Sequence, residues 1–327
     1  MLVKIYKYWP ENASHYGMKL NLGLTRQTPG SSLKWGDIEF TLDENIKECD
    51  LLVVLGFTPS NLRIKARQTW IFQQEPPIED LWGWQKKGYK YFDKVFGFWG
   101  GDGMIAEQTS LAWFLNKTYD ELSHLEIVNK KDEVSWCTSN LYHRPGHIAR
   151  MDFKDFLLSK GFKLDLFGYG FKEIQDKFDA IDPYKYSIAI ENYFTNGYWT
   201  EKIADCFLCH TMPIYCGAKD ILKYFPKKSL VLIDPSKKEE SFEIIKCAIE
   251  NKLWDKNIDY IKEAKELCLN KYQLFPNIAR LIKEHDVMTF EKKECFFPKI
   301  NEGKIIRKVY GALKRKVLEL IQVRTGV

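Results

Sequence analysis

The chain has 327 residues, 45% of them hydrophobic and 15% aromatic, and a formal net charge of +5. That length exceeds one typical core and fits two domains, and that apolar content excludes a disordered chain. Between Lys304 and Arg324 seven basic residues (Lys304, Arg307, Lys308, Lys314, Arg315, Lys316, Arg324) face one acid, Glu319, so this tail carries +6 and the rest −1; a near-neutral body with no recognisable motif argues against nucleic-acid binding.

From the N-terminus, apolar runs predict strands over Leu2–Tyr8, Asp37–Leu42, Leu51–Gly56, Thr69–Gln73 and Lys94–Phe98, spaced for short crossover helices or loops. The polar stretch 116–132, with Lys130, Lys131 and Asp132, is the expected hinge. A second series follows, with strands over Glu133–Thr138, Leu164–Phe167, Tyr186–Ile190, Met212–Tyr215 and Leu230–Ile233 and a helix near His147–Lys160. Helical periodicity dominates from Glu239 to Glu284, where Ile244, Ile245, Ala248 and Ile249 and then Ile261, Ala264 and Leu267 share faces. The expected fold class is therefore α/β, with two Rossmann-like domains over 1–125 and 133–302 and a basic amphipathic helix over 303–327. In that tail Ile306, Tyr310, Leu313, Val317 and Leu320 recur at three- and four-residue spacing beside a cationic face. Such a helix suits an anionic membrane surface, and packing on its own domain or a partner helix is the competing use.

No charged-then-apolar leader opens the sequence, and the run Leu51–Phe57 is far short of a membrane span, so a cytoplasmic protein peripherally bound to the membrane face is expected. Eight cysteines (Cys49, Cys137, Cys206, Cys209, Cys216, Cys247, Cys268, Cys295) are then expected as free thiols, and the sequons at Asn12 and Asn116 carry no meaning. Cys206-Phe207-Leu208-Cys209-His210 spells the C-x-x-C-H pattern of haem attachment and, with Cys216, can be drawn as a zinc site. Neither is expected, because haem attachment needs export and these cysteines fall on or beside the apolar face of a helix. The phosphate-binding pattern G-x-x-x-x-G-K-[ST] is absent, and Gly168-Tyr169-Gly170 is too short for a dinucleotide fingerprint.

Residues 185–217, KYSIAIENYFTNGYWTEKIADCFLCHTMPIYCG, carry the most chemistry. The strand ending at Ile190 delivers Glu191 and Asn192 to its carboxyl edge, where ligands of open α/β sheets bind. After a loop with Asn196 and Gly197, Thr200 is placed to cap a helix with Ile203, Ala204, Phe207 and Leu208 on one face. Its first-turn N–H groups and Lys202 attract phosphate, while Glu201 suits the paired hydroxyls of a ribose; the mixture points to a nucleotide. Ordinary charged first-turn residues are the plain alternative for Glu201 and Lys202.

Ile190-Glu191-Asn192, then Gly197-Tyr198-Trp199-Thr200-Glu201-Lys202, then Met212-Pro213-Ile214-Tyr215-Cys216-Gly217 and Ser229-Leu230-Val231 resemble the signature of the α-1,3-fucosyltransferases, glycosyltransferase family 10, in its bacterial form. The resemblance covers about residues 133–235 and touches the N-terminal half only at scattered points. It implies the GT-B architecture, two facing Rossmann-like domains, with acceptor binding in 1–125 and GDP-sugar binding in 133–302. It implies an inverting transfer of L-fucose from GDP-fucose to a glycan hydroxyl, such as the N-acetylglucosamine of a lipid-linked oligosaccharide. By resemblance, Ser139-Asn140 ends a strand followed by an arginine on the next helix, and counting back from Phe153-x-x-x-Leu157 selects Arg150 over Arg144. Arg150 and Lys202 would neutralise the diphosphate, with Ser139, Asn140, Glu191, Asn192, Tyr198, Thr200 and Glu201 around the donor. Thr69–Pro77 resembles the family's strand ending in an acidic residue before a proline loop, which makes Glu75 the base. Pro76 stands where the family usually has a small residue, which leaves acceptor contacts open; Trp82, Trp84, Trp99 and Gly100 are candidates. The chain has no D-x-D, so no divalent metal or other cofactor is expected to be required. A transferase of the same fold using another nucleotide sugar, and a non-catalytic membrane-associated scaffold, are the alternatives.

Overall fold

The computed structural model describes residues 1–9, 23–76, 83–101, 103–109, 113–142 and 145–300. The basic tail, Asn12, Trp82 and Arg144 lie outside them.

The first unit contains β1 (Leu2–Lys7), β2 (Lys34–Trp35), β3 (Ile38–Thr41), β4 (Leu51–Leu55), β5 (Leu62–Ala66), β6 (Gln68–Phe72), β7 (Lys94–Gly97) and β8 (Ile105–Ala106). All but β5 join one sheet in the order β2-β3-β1-β4-β6-β7-β8, parallel except where β2 meets β3. β4 (LLVVL) and β6 (QTWIF) are buried at every position, as strands covered on both faces are, which is why they read as continuous apolar runs. The expected strands correspond to β1, β3, β4, β6 and β7. Unforeseen were β2 and β8, two residues each, and β5, whose Leu62, Ile64 and Ala66 face the core between Arg63 and Lys65.

The second unit runs α1 (Tyr119–Ser123), β9 (Lys131–Cys137), α2 (Pro145–Ser159), β10 (Leu164–Phe167), α3 (Lys177–Ile181), β11 (Tyr184–Ile190), α4 (Glu201–Leu208), β12 (Met212–Cys216), β13 (Val231–Leu232), α5 (Lys238–Glu250), α6 (Leu253–Lys256) and α7 (Ile258–Leu267). Its sheet is wholly parallel, β10-β9-β11-β12-β13, with β11 at the centre. The expected hinge is not bare linker. Thr118 and Glu121 exchange side-chain and backbone hydrogen bonds in a capping box that starts α1, and Leu122 is buried beneath it.

The packing departs from the 133–302 division. A π-helical turn (Cys268–Tyr272) follows α7, and α8 (Leu274–Glu284) then crosses to the first unit, where Leu274, Phe275, Ile278 and Leu281 pack with Val3, Ile5, Phe40 and Phe96. The chain continues into β14 (Lys293–Phe297), antiparallel to β5. Periodicity reports that a helix has an apolar face; the first sheet had a bare face to cover it, and nothing local says which of two sheets a stripe will meet.

Candidate active site

The centre of the site is the carboxyl end of β11, the middle strand of the second sheet. Glu191, the first residue past that strand, has no solvent exposure. Its carboxylate accepts from the backbone N–H of Thr200 at 2.8 Å and from Thr200 Oγ1 at 2.8 Å, and pairs with Lys202 Nζ at 3.1 Å. Thr200 caps α4, its hydroxyl facing the Lys202 N–H at 3.4 Å and Lys202 Nζ at 3.0 Å. Glu191 was expected among the donor ligands; instead it is spent inside the protein, locking the cap and the lysine. Burial opposes the Lys202 charge, but Glu191 and Glu201 outweigh it and lift its pKa.

Beneath the first turn of α4 lies a second ion pair. Lys177 Nζ on α3 stands 2.6 Å from Asp205, which is wholly buried, and 3.8 Å from Glu201. Asp205 also accepts from the Phe114 N–H at 3.1 Å, tying the interdomain segment to α4. Burial opposes the charge on Lys177, yet Asp205 and Glu201 hold it protonated well beyond the usual lysine range. Burial also opposes the charge on Glu201, but Lys202 and Lys177 draw its pKa down to about 2. Glu201 is therefore an anion at any working pH, fit to accept hydrogen bonds from a diol. Lys177→Met, which strands the Asp205 carboxylate in the core, is expected to cost about 3–5 kcal/mol in urea unfolding, and Lys177→Met/Asp205→Leu should recover part of it. A loss below about 1 kcal/mol for the single variant would show that the pair is not the brace described.

Arg150, on α2, is buried, and its Nε has no hydrogen-bond partner among the described residues. Burial lowers its pKa, and the carboxylates of Glu191 and Glu201 act against that. Arg150, Lys177 and Lys202 line one cavity of about 20 Å³ with Cys137, Ser187 and Cys206, room for one water molecule. The space enclosed by these cations is too small for a diphosphate. Of the other expected donor residues, Ser139 is half-buried and Asn140 exposed past β9, and Asn192 has a buried Oδ1 with no hydrogen-bond partner among the described residues.

Tyr198 is buried and meets Phe98, beyond β7, edge-on with ring centroids 5.1 Å apart. It is a buried contact between the two units. Gly197 has φ +71, and a Cβ there would stand 2.5 Å from the Phe98 carbonyl oxygen, so only glycine allows this approach. Gln108 Nε2 donates to the Trp199 carbonyl at 3.0 Å, and Asn277 of α8 donates to the Gln108 carbonyl at 2.7 Å. Glu75 follows β6 and is half-buried; its charge is felt by Tyr198 of the second unit, whose pKa is raised first by burial and then by Glu191, Glu201 and Glu75. The fold thus brings Glu75, Glu191 and Glu201 within electrostatic reach of the same tyrosine. Sequence reasoning passed over Lys177, Asp205 and Gln108. Asp205 had left a signal, an acid among Ile203, Cys206 and Phe207 on a helix whose apolar face was already recognised.

Cys206 and Cys209 lie in the core of the second unit, and burial pushes the Cys206 thiol up to about 12. His210 is buried, its Nε2 3.2 Å from Lys265 Nζ. Burial, then Lys265 and Lys130, hold its pKa down to about 3 from an ordinary 6.5. The unfolded imidazole takes a proton that the folded one refuses, so this stabilising contribution is complete above about pH 6.5 and is lost as pH falls towards about 3. The urea midpoint of the wild type is expected to drop from pH 7 to pH 5 by more than that of His210→Gln; equal drops would assign the acid lability elsewhere.

Known proteins are similar to this chain in part. Residues 127–247 match the family model described as glycosyltransferase family 10 (fucosyltransferase) C-term. The matched segment holds Arg150, Lys177, Glu191, Thr200, Glu201 and Lys202; Glu75 lies outside it. The chain is 29% identical over 133 residues to the alpha-(1,3)-fucosyltransferase FucT of Helicobacter pylori, covering 41% of this chain and 23% of that protein. It is 27% identical over 167 residues to the 4-galactosyl-N-acetylglucosaminide 3-alpha-L-fucosyltransferase 9 of Bos taurus, covering 49% of this chain and 45% of that one. The alignments thus span less than half the length of these curated relatives. An alpha-glucosyltransferase solved in complex with UDP and a 13-mer DNA superposes with a TM-score of 0.55 at 10% identity, over 88% of this chain and 100% of that one. With two largely parallel α/β sheets and this superposition, the fold is GT-B.

Proposed function

We propose that this protein transfers L-fucose from GDP-fucose to a glycan hydroxyl, with inversion at the anomeric carbon. The observation that carries the reading is the locked Glu191–Thr200–Lys202 cluster at the N-terminus of α4, inside the segment that matches the fucosyltransferase family, with the unpartnered Nε of Arg150 beside it. Lys202 and Arg150 meet the diphosphate, Glu201 accepts from the ribose diol, and Asn192 and Tyr198 shape the donor pocket. Glu75 takes the proton of the acceptor hydroxyl as its oxygen bonds to the anomeric carbon. The bond from that carbon to the diphosphate breaks, and its electron pair leaves on GDP, where the fixed cations stabilise the growing charge. The acceptor we assign is the 3-hydroxyl of N-acetylglucosamine in a bacterial surface polysaccharide, and protein cations fill the role of a divalent metal.

The test is GDP release by the purified chain from GDP-fucose, with GDP-mannose and a UDP-sugar in parallel, with and without glycan acceptors and with EDTA. Acceptor-dependent release specific to GDP-fucose and unaffected by EDTA is expected. Release from another sugar nucleotide would overturn the donor, loss with EDTA the metal-free mechanism, and failure to bind any nucleotide the enzymatic reading itself. We further propose that the basic tail holds the protein to anionic membrane at the cytoplasmic face. In flotation with anionic vesicles the intact chain should float and a chain ending at Glu302 should not; equal flotation would remove that role.

A further inference from the structure

Glu75 does not stand alone at its edge of the first sheet. The register Lys7↔Leu55↔Phe72 aligns the ends of β1, β4 and β6, so Tyr8, the Gly56–Phe57 turn and the loop carrying Glu75 leave the sheet side by side. With neighbouring strands about 4.8 Å apart, the exits of β1 and β6 are about 10 Å apart, the reach of a disaccharide. Four rings gather here. Tyr8 lies on Phe57 with centroids 4.5 Å apart and planes at 30°, and Phe57 meets Trp84 edge-on at 4.8 Å. Trp9 braces Tyr8 from the side at 5.0 Å. Gly56, at φ +81, gives the Tyr8 ring its place, since a Cβ would stand 3.1 Å from Tyr8 Cε1. Held by these neighbours, the tyrosine still keeps 45% of its surface exposed. Its phenol pKa rises to about 12, first through burial and then through the carboxylate of Glu75.

A fixed, open aromatic ring beside a carboxylate has the chemistry of a carbohydrate subsite. The axial C–H bonds of a pyranose carry partial positive charge and meet the negative face of an aromatic ring, while a few polar groups orient the hydroxyls. We propose that Tyr8, backed by Phe57 and Trp84, is the platform on which a pyranose ring of the acceptor glycan stacks, presenting its hydroxyl to Glu75. The platform rests on the proposed fucosyl transfer and adds where the acceptor lies. Of the aromatic residues the sequence offered for this task, Trp84 is part of it, as support; Trp99 is partly buried against the other core of this unit.

The experiment is initial-rate kinetics with 4-galactosyl-N-acetylglucosamine as the acceptor probe, on the full chain, for wild type, Tyr8→Leu and Tyr8→Phe. Tyr8→Leu, which keeps bulk and removes the ring, is expected to raise the acceptor KM about tenfold without moving the KM for GDP-fucose, whereas Tyr8→Phe should stay within about twofold of wild type in both. An unchanged acceptor KM in Tyr8→Leu would overturn the platform while leaving the transferase reading in place, as would parallel rises in both KM values. A wild-type protein that transfers nothing from GDP-fucose to this acceptor would overturn the reading beneath it, and the platform with it.

Discussion

Lys202→Ala is expected to lower turnover of GDP-fucose by about 10³-fold or more, with the protein still folded. The ammonium is not a mobile surface charge. Glu191 and Thr200 hold it within 3.1 Å on both sides, so in the proposed transfer it needs no reorganisation as charge builds on the departing diphosphate. The variant also removes the cation paired with the buried Glu191, so a fall of about 1–3 kcal/mol in stability should accompany the kinetic loss. Thr200 still satisfies that carboxylate with two hydrogen bonds, which is why the fold should survive. The kinetics are read beside far-UV circular dichroism and a urea melt. Near-wild-type turnover in a folded Lys202→Ala protein would remove α4 from the donor site.

Glu75→Gln is the second large effect, a drop in turnover of about 10²–10⁴-fold with GDP-fucose affinity kept. Glutamine preserves the shape and hydrogen-bonding span of the side chain but cannot take the acceptor proton. Since Glu75 follows a strand of the first sheet and Arg150 and Lys202, the proposed diphosphate cations, belong to the second unit, the variant should separate chemistry from donor binding. Equilibrium titration with GDP-fucose and single-turnover transfer on the same preparation check this. Transfer within about tenfold of wild type would move the base elsewhere. Loss of donor affinity would place Glu75 against the nucleotide.

How far the sequence could be read depended on the range of the interactions. The cap at Thr200, the anion-seeking first turn of α4 and the strand that carries Glu191 are local, and each was legible from a few neighbouring residues. The fate of Glu191 was not. A carboxylate at a strand end looks the same whether it faces a ligand or a threonine nine positions later, and only the fold of the Asn192–Trp199 loop brings Thr200 and Lys202 back upon it. Lys177 and Asp205, 28 positions apart, meet because α3 and α4 pack on one sheet. The stripe on α8 was visible as a stripe, but its partner was the first sheet, more than 170 positions away in the chain.

By itself, then, the sequence determined the alternation of strands and helices, the two sheets, the capped helix and the ordered motifs that resemble a fucosyl-transfer site. Those features follow from backbone propensity and from apolar periods of two and 3.6 residues, which neighbouring side chains set. Tertiary structure decided which charges are spent inside the protein and which are left for a ligand, where the chain returns after the second sheet, and that Tyr8 stands open beside Glu75. Those outcomes depend on burial and on pairing between segments distant in sequence, and the energy of a charge is set by what surrounds it in space.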